Sequence, residues 1–127
     1  MKKLLLFIAI ISFVVTTCKK DNIIDYANPE NLAGTTWKCF DDPNPDLLLG
    51  YEYTSLEFAS ISTVQAWSKY EGFDEESLGL YNYSIVYKTI TLSQNQSVQG
   101  FGPVTGTIDR EEIILQDGTN NQVYLKQ

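Results

Sequence analysis

No histidine occurs among the 127 residues, so no Cys-His pair can form and there is no imidazole to act as a general base. Cysteine is nearly as scarce, with Cys18 and Cys39 alone. No Cys-x-x-Cys, Gly-x-Ser-x-Gly, Ser-x-x-Lys or Walker loop occurs either. Positive charge is in short supply: nine basic residues stand against sixteen acidic ones. Such a chain lacks the electrostatic footprint of a nucleic-acid binder, since acidic surfaces repel phosphates. It also lacks the basic patch that holds peripheral proteins on anionic lipid. Beyond the first fifteen residues no stretch keeps apolar residues at i, i+3, i+4 and i+7, so no long helix is expected, and there is no internal repeat.

What the chain does have begins at its first residues. Met1-Lys2-Lys3 is short and cationic, and Leu4 to Val15 is apolar apart from Ser12. Twelve helical residues reach only about 18 Å at ~1.5 Å each, short of the ~30 Å hydrocarbon core. A positive start, an apolar run of this length and a polar exit make a secretory signal segment, here residues 1–17. A core helix would carry polar residues at helical spacing, and this run does not. The following segment, residues 18–31, is mostly polar with Pro29, and has the composition of a tether. Cleavage before residue 18 removes Lys2 and Lys3, leaving seven basic residues against sixteen acidic and a net charge of −9.

The stretch Val15-Thr16-Thr17-Cys18 resembles a bacterial lipobox of the looser kind found in Bacteroidetes lipoproteins. Thr17 stands where Gly, Ala or Ser is usual and Val15 where Leu is usual. The resemblance implies that Cys18 becomes the first mature residue, bearing a diacylglyceryl thioether and an N-acyl chain such as palmitate. Two or more chains anchor stably, because each buried CH₂ contributes about 0.8 kcal/mol. Lys19, in place of an inner-membrane retention Asp, implies the outer membrane; which face is left open. With Cys18 lipidated, Cys39 has no intramolecular partner, and beside Trp37 and Phe40 it is expected to be a small buried hydrophobe.

From residue 32 to 127 the chain is a succession of short β-branched and aromatic runs separated by Gly, Pro, Asn and Asp. Strands are expected at 35–40, 51–59, 62–70, 80–88, 89–93, 104–108, 111–116 and 122–126, with a further short run near 97–100. Residues 72–77 are expected to be loop or a single helical turn. The alternation is clearest at 80–88, where Tyr81, Tyr83, Ile85 and Tyr87 share one face and Asn82, Ser84 and Val86 the other. About eight strands joined by hairpin-length connections make an all-β, antiparallel up-and-down meander. Each strand has one dry face, so the sheet must close into a barrel or split into a small sandwich, and the barrel leaves no edge. Gly100, Gly102 and Gly106 precede no helix and are expected at a bulge or bend.

Leu32 to Lys38, LAGTTWK, resembles the opening of lipocalin-like domains in small Bacteroidetes lipoproteins. In that family a Gly-x-Trp or Gly-x-x-Trp element starts the first strand. The resemblance implies that Trp37 plugs the barrel floor and Gly34 makes the tight entry.

Three acidic runs could in principle carry chemistry. Asp42, Asn44 and Asp46 open like a calcium loop, but Leu47 and Tyr53 stand where that loop needs Gly and Glu. Glu71, Asp74, Glu75 and Glu76, and Asp109, Glu111 and Glu112, lie at turns and strand starts, where solvated charge is ordinary. No metal, cofactor or enzymatic activity is expected. The aromatic residues are the better lead: Tyr81, Tyr83 and Tyr87 at period two, and Trp67, which shares the polar face of its strand with Gln65 and Lys69. Inward, the tyrosines would line a pocket for a small apolar ligand or fill a core; eight strands enclose just enough room for either. Outward, they would dock on an envelope protein or an extracellular polymer.

Overall fold

A computed structural model describes residues 23–43, 45–46, 50–94, 103–117 and 120–127. The expected signal segment, Cys18 and the tether as far as residue 22 lie outside the described residues, as do Gly100 and Gly102. The described chain is one closed antiparallel barrel of eight strands in sequence order. The strands are β1 (Thr36–Cys39), β2 (Tyr51–Phe58), β3 (Thr63–Tyr70), β4 (Glu76–Val86), β5 (Thr89–Gln94), β6 (Val104–Asp109), β7 (Glu112–Asp117) and β8 (Asn120–Lys126). Pairing of β8 with β1, Trp37 opposite Lys126 and Lys38 opposite Leu125, closes the ring and decides for a lipocalin-like barrel over a sandwich. Among the described residues no helix is long and apolar enough to cross a membrane.

Period-two patterning builds the wall. In β2, Thr54, Leu56 and Phe58 are buried while Glu57 is exposed, and in β3 Val64, Ala66 and Ser68 are buried. The outer wall carries Gln65, Asn82, Ser84 and Thr107. Up-and-down topology puts the β2–β3, β4–β5 and β6–β7 connections at one end, called the floor. The β1–β2, β3–β4, β5–β6 and β7–β8 connections lie at the other, the mouth.

The floor is closed by the chain's own entry. Asn28 caps a one-turn helix, α1 (Pro29–Leu32), by accepting a bond from the Glu30 amide at 3.1 Å, and Pro29 suits the first helical position. Tyr26 and Leu32 are buried in the barrel core. The folded body therefore begins by Tyr26, and the expected tether gives up its last residues to the floor, because their apolar side chains have a core to enter. Gly34 then turns the chain into β1 at φ +81°, its amide donating to the Phe58 carbonyl at 2.7 Å.

Two expectations are corrected. The strand expected over 80–88 starts at Glu76 and ends at Val86, and Tyr87-Lys88 is a two-residue turn with Tyr87 at φ +56°. Tyr87 thus leaves the face it was expected to share with Tyr81 and Tyr83. No bend occurs at Gly106, which pairs in register with both Ile90 and Leu115. Its role is close approach: a Cβ there would lie 2.1 Å from the Ile114 carbonyl oxygen.

Candidate functional site

The barrel interior divides into a filled half and a hollow half. At the floor Trp37, Phe58, Leu32, Val64, Ile90, Ile108 and Ile113 are all fully buried. Trp37, for which the resemblance implies a plug, is fully buried at this end. Its Nε1–H donates to Thr35 Oγ1 at 2.7 Å, the Thr35 hydroxyl donates to the Leu32 carbonyl at 2.5 Å, and the Tyr26 ring meets the indole edge-on at 5.3 Å. Tyr83 belongs to the same half: its ring stands edge-on to Phe58 at 5.0 Å and its hydroxyl donates to the Ser60 carbonyl at 2.8 Å. Burial pushes that hydroxyl's pKa up to about 12.

Toward the mouth the inward side chains become smaller or stand farther apart, leaving a cavity of about 430 Å³. Leu56, Ala66, Leu78, Leu92, Val104 and Leu115 supply its apolar lining. Thr54, Ser68, Tyr70, Tyr81, Gln122 and Tyr124 supply polar atoms without charge. The Tyr124 hydroxyl donates to Gln122 Oε1 at 3.0 Å. Tyr51 stiffens the wall behind Thr54: its hydroxyl donates to the Cys39 carbonyl at 2.8 Å and shares a 2.9 Å bond with Thr54 Oγ1. Burial likewise raises its pKa to about 12. A register shift between Ala66 and Trp67 leaves Leu78 as an extra residue of β4, which turns it into the cavity rim.

The sequence candidates scatter across this map. Tyr81 lines the cavity, Tyr83 is floor packing, and Tyr87 projects from a floor turn. Trp67 sits on the outer wall, half-buried as its polar strand face implies, with its indole N–H 3.3 Å from Glu57 Oε2. Cys39 is a buried thiol whose pKa is raised by burial, opposite to the direction that activates a nucleophile. The described carboxylates of the three acidic runs are exposed. Among the described residues no three acidic, cysteine or histidine side chains converge as a metal would require. Of the lining residues only Tyr81 was a sequence candidate, and among those passed over Thr54, Ala66 and Ser68 are the most telling. Their signal was small size at inward positions of β2 and β3, opposite a floor built from Phe58 and Val64.

A larger hollow, about 520 Å³, lies outside the barrel beneath the floor, between Ile23, Ile24 and Tyr26 and the β6–β7 turn at Asp109 to Glu112. Ile23 and Ile24 are exposed, so this is a surface groove and not an interior site. Comparison with protein-family models, curated proteins and solved structures finds no match to this chain.

Proposed function

We propose that this protein is a lipid-anchored envelope lipoprotein whose barrel holds a small, largely apolar molecule without negative charge. The observation that carries the binding half is the uncharged cavity of about 430 Å³ above a fully packed floor. Drug-sized ligand sites range over ~300–1,000 Å³ and are mostly apolar with a few placed polar groups. The rim supports the sign. Asp41, Asp42 and Glu52 flank the β1–β2 connection and Glu71, Asp74 and Glu75 the β3–β4 connection, with Lys38 and Lys69 as the cations nearest them in sequence. A carboxylate or sulfonate on the ligand would meet that field on entry.

The anchoring half rests on the resemblance at Val15 to Cys18, with Lys19 pointing to the outer membrane. Acylated Cys18 at the mature N-terminus is the expected mass-spectrometric finding, and any other terminus removes the location. The alternative, docking through exposed aromatics, keeps Tyr87 but not Tyr81 and Tyr83, which face the cavity and the packed floor, and this favours the pocket.

Binding is tested with N-phenyl-1-naphthylamine, a neutral apolar fluorophore. It is expected to bind with one-to-one stoichiometry and enhanced emission. Ala66→Trp, which fills the cavity, should abolish the signal, and an anionic naphthalene sulfonate should bind several-fold more weakly, the gap narrowing as salt screens the rim. Equal binding to the wild type and to folded Ala66→Trp would place the dye outside the barrel and remove the proposal.

A further inference from the structure

The floor end exposes a group of apolar side chains where the chain enters the barrel, and we infer that this end seats on a lipid bilayer while the cavity opens away from it. This rests on the lipid-anchor reading above and adds an orientation to it. Turn tips are ordinarily polar; at the floor the β6–β7 tip, Asp109 to Glu112, is charged, but the other two carry exposed apolar residues. Ile61 of the β2–β3 turn is 61 % exposed, Val86 at the end of β4 and Tyr87 of the β4–β5 turn are 65 % and 93 % exposed, and Ile23 on the incoming segment is 70 % exposed. These tips are neighbours: the Tyr83 hydroxyl bonds the carbonyl of Ser60 next to Ile61, the Ile108 amide bonds the carbonyl of Lys88, and Ile23 and Ile24 lie against the β6–β7 turn. Isoleucine and valine gain by entering the acyl boundary, and tyrosine suits the headgroup level.

Two further observations choose lipid as the occupant. The chain enters at this end, with Ile23 five residues beyond Cys18. Five residues span at most ~18 Å, less than the ~20 Å height of eight-residue strands at the usual barrel tilt. An acylated Cys18 therefore stays near the floor and cannot be drawn up to the mouth. Charge is also distributed by end. At the floor Asp25, Glu30, Asp109, Glu111 and Glu112 are partly offset by Lys88, Arg110 and Lys126, and Lys19 and Lys20 precede them in the sequence. Lys88 is paired with Asp109 at 2.8 Å. The mouth carries the acidic rim, which an anionic headgroup layer repels. The mouth also exposes Phe40, Phe73 and Leu78 and the wall Leu80 and Leu125, so the choice of the floor rests on the chain's entry there and on the acidity of the mouth.

The experiment uses the full-length acylated protein in vesicles of phosphatidylethanolamine and phosphatidylglycerol. A nitrobenzoxadiazole label is placed at Tyr87→Cys or, at the mouth, Phe73→Cys, each with Cys39→Ala. Both label sites are exposed. The label at 87 should emit to the blue and be about fivefold less accessible to an aqueous quencher than the label at 73, consistent with ~5–10 Å insertion. Because the contact is apolar, molar salt should leave the difference in place. Equal quenching at both sites with Cys18 acylated overturns the orientation and leaves the anchor standing. Shielding at 87 in native envelopes but not in vesicles puts a protein there and also overturns it. An unacylated Cys18 sinks anchor and orientation together.

Discussion

The floor and the mouth of this barrel are made by the same eight strands, yet one end is solid and the other hollow. The floor receives Trp37, Phe58 and four β-branched side chains, and α1 folds Leu32 in beneath them. At the mouth β2 and β3 present Thr54, Ala66 and Ser68, and Leu78 is displaced to the rim by the β-bulge. Eight strands leave room for side chains or for one small ligand; here residue size along each strand divides that room between the two uses. A barrel can thus keep a rigid base and an adaptable top without a second domain.

Several substitutions would break or sharpen this contrast. Trp37→Ala should cost most, about 3–5 kcal/mol, as the plug leaves a void among side chains that cannot close over it. Urea denaturation checks it, and a loss under ~1 kcal/mol would mean the floor is not the stabilising end. Next come two enlargements of neighbouring inward residues of β3. Val64→Phe at the packed level should cost about 1–3 kcal/mol by overpacking, whereas Ala66→Leu, which grows into the cavity, should cost under ~1 kcal/mol. Equal costs in thermal melts would erase the distinction between the ends.

Smaller effects concern the buried hydroxyls. Tyr83→Phe removes the bond to the Ser60 carbonyl and should cost about 1 kcal/mol at neutral pH. Tyr51 and Tyr83 hold their protons to about pH 12 in the fold, while unfolded tyrosine releases its proton near pH 10. Their contribution is thus fully present below pH 10 and is lost as pH rises through about 12. Tyr83→Phe should therefore also flatten the fall in stability between those values, seen in urea midpoints taken across the range. Lys88→Ala should do least. Its partner Asp109 has its carboxyl pKa lowered by the lysine, but both groups are exposed and solvent-screened, so no measurable change in Tm is expected.

Much of the fold was legible in the residues, and the exceptions have physical causes. Alternation placed eight strands and their dry faces, and the Trp37 region was readable as an entry element. The turn at Tyr87-Lys88 was invisible because it contains neither Gly nor Asn; a tyrosine takes the left-handed backbone there, between strands held by their pairing. The added strand at Glu76–Gly79 was hidden because it has no buried alternation: its residues face solvent or the rim rather than the core. Tyr26 looked like tether because a single aromatic among polar residues carries no period. The cavity was the least legible, since it depends on which inward residues of non-adjacent strands share a level, and that follows only from closure and register.

The most direct test of a barrel solid at one end and hollow at the other is a crystal structure of the protein under xenon pressure. Xenon density is expected among Ala66, Leu92 and Leu115 and not at the level of Trp37 and Phe58. A mouth with no xenon, its space taken up by Tyr70, Tyr81 and Tyr124 packed together, would contradict the account.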